Sequence, residues 1–322
     1  MNSLELGQVS GLGPVNLKKL QEAGIISVVD LAACSVQELS DRINSTKPTA
    51  NQMILAAQKL LREHKYLDAR IVKASELLEE RQSSPRLTTG SKELDNLLKG
   101  GIETGAITEF YGEFGSGKTQ VCFTLSVMAT QPADKGGFDG TVLYIDTENT
   151  FKNQRIKEIC EHREIDPTFV LDRILVSRVF GVSDFDLTMK DLENIIIKHG
   201  IKLIVIDGIM SQFRAEFTGR GTLAERQQSI NPILNKLKKL SEVHKIAVIV
   251  TNQVMSNPDG MFTGEVVRAT GGHILSHGTT YRIYLRKIKK VNRVARIVDS
   301  PYHALSECIF TVSEAGVTDI EK

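Results

Sequence analysis

One short run of residues combines glycines with a lysine and a threonine in a pattern suited to phosphate chemistry. Residues 112–119, Gly-Glu-Phe-Gly-Ser-Gly-Lys-Thr, fit G-x-x-x-x-G-K-[ST], the phosphate-binding loop of nucleoside triphosphatases. The glycines let backbone amides approach phosphate oxygens closely. We expect Lys118 to neutralise the terminal phosphates and the Thr119 hydroxyl to bind Mg²⁺. The run therefore predicts a site for a nucleoside triphosphate and magnesium.

Polar residues that follow predicted strands extend this site. Asp207 follows an apolar run at 203–206, as in a Walker B strand, and is predicted to hold Mg²⁺; the alternative is a solvated loop residue. Glu148 follows the run 141–145 and is a candidate general base for an attacking water, or else a carboxylate at a helix start. Gln253 ends a further strand and is a candidate contact for the γ-phosphate.

The elements that must position these residues are predicted from hydrophobic runs. Residues 106–111 form a predicted strand before the phosphate-binding loop, and 119–128 a predicted helix after it. Further β-branched runs alternate with helical segments, which is typical of a mainly parallel sheet with helices on both faces, an α/β fold. These predicted strands cover residues 141–145, 202–206 and 246–250, with a hairpin at 281–285 and 294–298.

Composition narrows the class of protein. The 322 residues are 41% hydrophobic and 25% charged, with a net charge of +1, so attraction to nucleic acid must come from local patches. The four cysteines form no C-x-x-C pair, which fits a reducing compartment and argues against a zinc or disulfide framework. The first residues lack a signal pattern, and no apolar run approaches the ~18 residues that span a bilayer. We therefore expect an intracellular protein with no membrane partner.

The chain is predicted to divide into a helical domain at 1–64, a linker at 65–86 and the α/β core at 87–322. Residues 79–85 are polar and are interpreted as the end of the linker. The Gly-Leu-Gly-Pro turn at 11–14 resembles a helix-hairpin-helix element, whose turn amides can face a DNA phosphate; simple helix punctuation is the alternative. The predicted helices of the first domain cover residues 15–23, 28–34, 36–43 and 50–64.

Motifs along nearly the whole chain occur in one order and spacing. They lie at residues 88–95, 109–120, 144–148, 218–228, 251–254, 271–274 and 299–301. With a small helical domain placed first, this arrangement resembles the archaeal RadA recombinases, relatives of bacterial RecA and of the eukaryotic strand-exchange proteins. The resemblance implies a RecA-like core that uses ATP and Mg²⁺. It also implies a DNA-dependent ATPase that forms filaments on single-stranded DNA and catalyses homologous pairing and strand exchange with duplex DNA.

The resemblance further implies two DNA-binding loops. Residues 214–226 correspond to the first loop, where arginines on flexible backbone suit phosphate contacts; a solvated surface loop is the alternative. Residues 255–270 correspond to the second loop and show no clear periodicity, and apolar side chains such as Phe262 are candidates to wedge between stretched bases. Gln253 and His273 bracket this second loop. The predicted DNA-binding residues are Arg214, Arg220, Arg226, Phe262, Gly271 and Gly272.

Self-assembly and nucleotide contacts follow from the same resemblance. Tyr66 and Ala69 match the linker residues that dock on the next core and extend its sheet; the frayed end of the preceding helix is the alternative for Tyr66. The implied assembly is a helical filament, with rings as an alternative. Arg155 matches the residue that stacks on adenine, and Asp299 with Pro301 matches the cap over the neighbouring subunit's ATP. The nucleotide contacts implied are Gly112, Glu113, Phe114, Gly115, Ser116, Gly117, Lys118, Thr119, Gln120, Arg155, His273, Asp299 and Pro301.

Some residues depart from the family pattern. Asn149 replaces the glycine that usually follows Glu148, and residues 152–155 replace the usual Arg-Pro-Glu-Arg. The segment 286–293 lacks its turn glycines and is strongly basic, which suits contact with duplex DNA or a solvated edge. The altered surroundings of Glu148, and Tyr66 in place of the usual phenylalanine, leave open a second hypothesis, a RecA-like paralogue that binds ATP and DNA but serves as a non-catalytic mediator. The complete phosphate-binding loop, Glu148 and the two loops favour the enzyme. The resemblance also implies a cytoplasmic, nucleoid-associated protein. Recombination mediators are further possible partners.

Overall fold

The computed structural model describes residues 4–64, 73–217, 223–256, 267–270 and 272–320. Its first part is helical, as predicted. Side-chain caps start three of its helices, because Ser27, Ser35 and Thr46 each accept a hydrogen bond from the amide three residues later. The last of these helices begins earlier than predicted, since Pro48 lies in its first turn, where a missing N–H costs nothing. The elements are a short 3₁₀ helix at Leu6–Gln8, α1 (Pro14–Glu22), α2 (Val28–Ala33), α3 (Val36–Arg42) and α4 (Lys47–Glu63).

The polar segment at 79–85, interpreted above as the end of the linker, is mostly helical. Most of it belongs to α5 (Ala74–Ser83). No residue of α5 is buried, and Glu80 pairs with Lys245 at 2.9 Å. Glutamate and arginine are good helix formers, so this segment forms a helix despite its lack of an apolar face.

The α/β core begins after α5. Ser91 caps its first helix by accepting from the amide of Leu94. The helices are α6 (Lys92–Leu97), α7 (Lys118–Ala129), α8 (Asn153–His162), α9 (Pro167–Leu171), α10 (Val182–Lys190), α11 (Leu192–His199), α12 (Ser211–Glu216), α13 (Leu223–His244) and α14 (Gly272–Gly278), with a 3₁₀ turn at Ala133–Lys135. The strands are β1 (Arg86–Leu87), β2 (Ile102–Glu103), β3 (Ile107–Gly112), β4 (Thr141–Asp146), β5 (Ile174–Arg178), β6 (Ile201–Asp207), β7 (Ala247–Ser256), β8 (Val267–Ala269), β9 (Tyr281–Lys287), β10 (Asn292–Asp299), β11 (Glu307–Ser313) and β12 (Gly316–Thr318).

The main sheet runs in the order β12-β11-β10-β9-β3-β7-β6-β4-β5 within the described ranges. Neighbours from β9 to β5 are parallel, whereas β10, β11 and β12 are added as antiparallel strands. A short antiparallel pair, β1 and β2, lies apart from it. Because parallel strands end at the same edge, the carboxyl ends of β3, β7, β6 and β4 stand side by side. The predicted functional residues of these strands are therefore neighbours.

Two apolar layers cover the sheet. Ile204 and Ile206 of β6 lie in one cluster, and Leu203 and Val205 lie in the other, as expected for side chains that alternate between faces. The first cluster contains residues of α10 to α13 and continues into the amino-terminal helices. The second is formed against α7, α8 and α9. Burial on both faces explains the continuous apolar runs in the sequence and confirms the α/β prediction.

Candidate nucleotide site and nucleic-acid loops

The phosphate-binding loop joins the end of β3 to the start of α7. Gly117 caps the helix with a φ of 104°, a left-handed conformation that favours glycine. A Cβ built on Gly112 would lie 2.2 Å from the Leu285 carbonyl oxygen, so only glycine fits there. The loop amides are thus presented at a helix N-terminus, the geometry that binds phosphate.

Lys118 is buried inside this loop. Its ammonium donates to the carbonyl oxygens of Gly112 and Glu113, both at 2.9 Å, and to Gln253 Oε1 at 3.3 Å. Burial lowers the pKa of Lys118, and the nearby carboxylates Glu148 and Asp207 oppose that shift. The Lys118 ammonium therefore lies inside the loop, where it can form an ion pair with a bound phosphate.

The loop also contains a hydroxyl that lacks a partner. Ser116 Oγ is buried and makes no hydrogen bond to the described residues. A buried hydroxyl without a partner is costly, and a phosphate oxygen would satisfy it. By contrast, the ring of Phe114 is almost fully exposed at the loop tip. The donor set of the loop thus fits the triphosphate of a nucleotide.

Asp207 and Thr119, the two predicted metal ligands, come together. Asp207 ends β6, is almost fully buried, and accepts hydrogen bonds from the hydroxyls of Thr251 at 2.6 Å and Tyr144 at 2.8 Å. Burial raises the pKa of Asp207, while hydrogen bonds from Thr251, Tyr144 and Thr119 oppose the rise. One carboxylate beside one hydroxyl fits Mg²⁺, which usually takes one or two protein ligands and completes its shell with phosphates and water.

Asp146 has a structural role that sequence reasoning missed. Its carboxylate is buried and accepts from the amides of residues 148, 150 and 151, at 3.2, 3.1 and 2.9 Å. These bonds close the turn that carries Glu148. Asn149, which replaces the usual glycine, has a φ of 56°, a left-handed conformation that asparagine tolerates. The departure from the family pattern therefore preserves the turn.

Glu148 projects from this turn toward the end of β6. It is exposed, and its Oε1 accepts a hydrogen bond from Ser211 Oγ at 2.7 Å. A Cβ on Gly208 would lie 2.8 Å from the same oxygen, so glycine makes room for this side chain. Ser211, at the start of α12, was not a sequence candidate. The only signal for it is its position four residues after Asp207.

The predicted adenine contact lies at the rim of the loop. Arg155 Nε donates to Gln120 Oε1 at 2.8 Å, and Arg155 Nη1 donates to the Glu314 carbonyl at 2.9 Å. Arg155 also pairs with Glu158 and donates to the Ser313 carbonyl. Its guanidinium is thus fixed between the first turn of α7 and the β11–β12 turn, which leaves its stacking role a prediction.

Asp299 and Pro301 do not meet the phosphate-binding loop of their own chain. Asp299 is opposite Arg282 in the sheet, whereas Gly112 is opposite Leu285 of the same strand. Both predicted cap residues are exposed at the far end of these strands.

The structure describes only part of the two predicted DNA-binding loops. Arg214 is exposed on α12, and Arg226 lies on α13 with its Nε buried and unpaired among the described residues. Gly272 begins α14, which includes His273. The remaining predicted residues, namely Tyr66, Ala69, Arg220, Phe262 and Gly271, lie outside the described residues.

The second loop is shorter than its prediction at 255–270. β7 continues to Ser256, and β8 returns antiparallel to it, with Val254 opposite Ala269. Residues 255–256 and 267–269 are therefore paired with each other as strands and form the stem of the loop. The sequence did not predict this stem, because the segment has no alternating apolar pattern. The β-branched Val267 and its neighbours find their hydrogen-bond partners across the strand.

The site and sheet define a RecA-like nucleoside triphosphatase. The Rad51 family model matches residues 80–320, and the chain belongs to this family. A second family model, the SAM-like helix-hairpin-helix tandem, matches residues 3–59. Over all 322 of its residues the chain is 41% identical to the "DNA repair and recombination protein RadA" of Cenarchaeum symbiosum (strain A), of whose length it covers 81%.

These matches settle several predictions from the sequence. The recombinase family, the RecA-like core and the amino-terminal helix-hairpin-helix element are confirmed. The family consists of DNA-dependent ATPases that act in DNA recombination and repair, so the mediator hypothesis is not favoured. Among the described residues, no helix combines the length and the apolar character needed to cross a bilayer.

Proposed function

We propose that this chain is a DNA-dependent ATPase that assembles on single-stranded DNA and catalyses homologous pairing and strand exchange. One observation carries the proposal. The side chain of Gln253 accepts a hydrogen bond from Lys118 of the phosphate-binding loop. The backbone carbonyl of Gln253 accepts a second hydrogen bond from the amide of Thr270 at 2.9 Å. Thr270 lies where the chain returns from the second DNA-binding loop. Gln253 therefore links the phosphate pocket to the residue at which that loop returns to the core.

The residues of the pocket would hold ATP and Mg²⁺. The loop amides, Ser116 and Lys118 bind the phosphates, and Thr119 with Asp207 holds the metal. When bound, Mg²⁺ neutralises charge that develops on the phosphates. Glu148 accepts the proton of the attacking water, and Ser211 orients its carboxylate for that step.

Nucleotide binding changes the contacts of Gln253. In the structure, Lys118 is held by two loop carbonyls and Gln253. A triphosphate competes for the ammonium because its charge attracts Lys118 more strongly than neutral oxygens do. The Gln253 amide is then released to bind the γ-phosphate, and the end of β7 follows it.

The DNA-binding loops supply the contacts to single strands. Arg214, Arg220 and Arg226 bind phosphates, and Phe262 inserts between bases. A net charge of +1 makes a single copy a weak binder, so tight binding requires many copies in series. Strand exchange therefore depends on self-assembly.

The free edge of the sheet suits that assembly. β5 is the last strand of the described sheet, with Val176 39% exposed on it and Phe180 76% exposed just beyond it. A segment of the next copy that carries Tyr66 and Ala69 would add a strand to this edge. In the same assembly Asp299 and Pro301 cap a neighbour's nucleotide, which fits their distance from their own phosphate-binding loop.

A strand-exchange assay with ATP, Mg²⁺ and homologous DNA tests the proposal. The wild-type chain should transfer one strand into the matching duplex, and Lys118→Ala should abolish transfer because the terminal phosphates lose their cation. Lys157→Ala, which removes a solvent-exposed lysine that pairs with Glu161, serves as the control and should behave as wild type. Strand exchange by Lys118→Ala at the wild-type rate would refute the proposed site.

A further inference from the structure

Three polar residues form a buried cluster in the middle of the sheet. Glu109 of β3 is fully buried, Asn252 of β7 is 1% exposed, and Arg282 of β9 lies beside them on the next strand. We call these residues the Glu109 cluster. None of them belongs to the nucleotide contacts or the DNA-binding residues described above.

The hydrogen bonds of the cluster lead outward in two directions. Arg282 Nε donates to Glu109 Oε2 at 2.6 Å, and another nitrogen of the same guanidinium donates to Ser276 Oγ on α14. Asn252 Nδ2 donates to Glu109 Oε1 at 2.9 Å and to the Thr270 carbonyl at 2.6 Å. Both partners of Asn252 are acceptors, so its amide has only one favourable orientation.

These partners lie at both ends of the second DNA-binding loop. Asn252 stands just before the loop, next to Gln253, whereas Thr270 and Ser276 follow it. Glu109 precedes the phosphate-binding loop on β3, and the Arg282 guanidinium lies 5.2 Å from the centre of the Tyr111 ring on the same strand. The Glu109 cluster therefore connects the strand that carries the phosphate-binding loop to both ends of the DNA-binding loop.

Stability alone does not account for such a cluster. Taking a carboxylate and a guanidinium out of water is expensive, and apolar residues of similar volume often stabilise a protein as well or better. Two atoms here, Asn252 Oδ1 and Thr270 Oγ1, are buried without a partner among the described residues. A network that is costly and incompletely paired suits the control of position better than the stabilisation of the fold.

We propose that Glu109, Asn252 and Arg282 are positioning residues that transmit occupancy of the phosphate-binding loop to the second DNA-binding loop. The inference rests on the proposed function, since it requires a loop that binds DNA. The cluster keeps Gln253 and Thr270 in register, so a shift of Gln253 on nucleotide binding moves both ends of the loop together. Without the cluster, nucleotide binds as before but the loop no longer responds.

Two nearly isosteric substitutions test this. Glu109→Gln removes the charge that Arg282 faces, and Asn252→Asp replaces the bridging Nδ2 with an oxygen that repels both of its partners. Glu193→Gln is the matched control, because Glu193 is also a buried carboxylate, bonded to Ser27 and His244 far from either loop. The dissociation constant for ATP and the rate of ATP hydrolysis, with and without single-stranded DNA, are measured for each variant.

We expect both cluster variants to keep an ATP dissociation constant within about twofold of wild type and to lose at least tenfold of the stimulation by DNA. The control should keep the stimulation, even if its melting temperature falls. Full stimulation in the cluster variants overturns the inference. So does a loss of ATP affinity in step with thermal stability, which marks a merely structural role. A wild-type chain that DNA does not stimulate would refute the proposed function itself.

A measurement on the wild-type chain covers the case in which the variants fail to fold. Hydrogen exchange of the Thr270 amide is compared with and without Mg²⁺ and a non-hydrolysable ATP analogue, in the absence of DNA. This amide donates to the Gln253 carbonyl, so nucleotide binding at the phosphate-binding loop should slow its exchange at least tenfold. Exchange that is unchanged by the nucleotide overturns the inference.

Discussion

At the scale of single residues, Asp207 combines a proposed metal-binding position with an unfavourable environment. Burial raises its pKa above the ordinary value of 3.8, so the folded chain binds a proton there more tightly than the unfolded chain does. Its contribution to stability is therefore full at low pH and is lost as the pH rises from 3.8 through the raised pKa. Above the raised pKa the charged carboxylate costs stability, which a bound cation would recover.

This cost predicts the behaviour of Asp207→Asn. The amide removes the buried charge, so thermal unfolding without metal at a pH above the raised pKa of Asp207 should shift upward by about 2–4 °C per kcal/mol recovered. Addition of Mg²⁺ and ATP should stabilise the wild type clearly and the variant far less. If Mg²⁺ and ATP raise both melting temperatures equally, Asp207 is not a metal ligand.

Glu148 gives a second prediction at this scale. Glu148→Gln keeps the hydrogen bond from Ser211 but cannot accept a proton from water. We expect ATP hydrolysis to fall about 10²–10⁴-fold, the usual contribution of a general base, while ATP binding is unchanged. Steady-state hydrolysis and equilibrium nucleotide binding separate the two effects. A variant that hydrolyses ATP at the wild-type rate would show that another group accepts the proton.

At the scale of elements, the amino-terminal helices dock on α13. Asp30 of α2 is buried and forms an ion pair with Lys236, while Lys239 donates to the Ala32 carbonyl. Ser27 and His244 bind Glu193 beside them. A cavity of about 390 Å³ lies at this junction, between α2, α3, α10 and α13. The predicted first DNA-binding loop, residues 214–226, overlaps the start of α13, so the helical domain packs on the same helix that carries the end of that loop.

The buried ion pair predicts a double-mutant result. Lys236→Met leaves Asp30 buried without its cation and should cost roughly 3–5 kcal/mol of unfolding free energy. Asp30→Asn in the same chain should recover most of that loss, because the stranded charge is gone. Urea unfolding of the two single variants and the double variant measures the coupling. Strictly additive losses would show that the two side chains do not interact.

The sequence predicted the elements whose signals are local. The phosphate-binding loop, the parallel strands and the capped helices depend on nearby residues, and the structure confirms them within a few positions. The helix at Ala74–Ser83 and the stem at β8 were missed, since neither has an apolar period of its own. The roles of Asp146 and Ser211 depend on contacts made only in the folded turn. Roles of this kind can be recognised only from the folded structure.

At the scale of the whole molecule, the proposed function depends on assembly through the β5 edge. Tyr66→Ala and Val176→Asp should each prevent self-association, because one removes the docking side chain and the other charges its receiving edge. Nucleotide binding by single chains should remain. Sedimentation at several concentrations measures the self-association. Leu55→Asp is the control, because Leu55 is also an exposed apolar residue but lies on α4, away from the β5 edge. Undiminished assembly of both variants would place the interface elsewhere.

The proposed function requires that a nucleotide in the phosphate-binding loop controls the affinity of the chain for DNA. Its most direct test is the affinity for a single-stranded oligonucleotide, measured by fluorescence anisotropy with Mg²⁺ at constant salt, with and without ATP. The wild-type chain should bind the oligonucleotide at least tenfold more tightly with ATP, and Lys118→Ala should show no such gain. Equal affinity with and without ATP in the wild-type chain would contradict it.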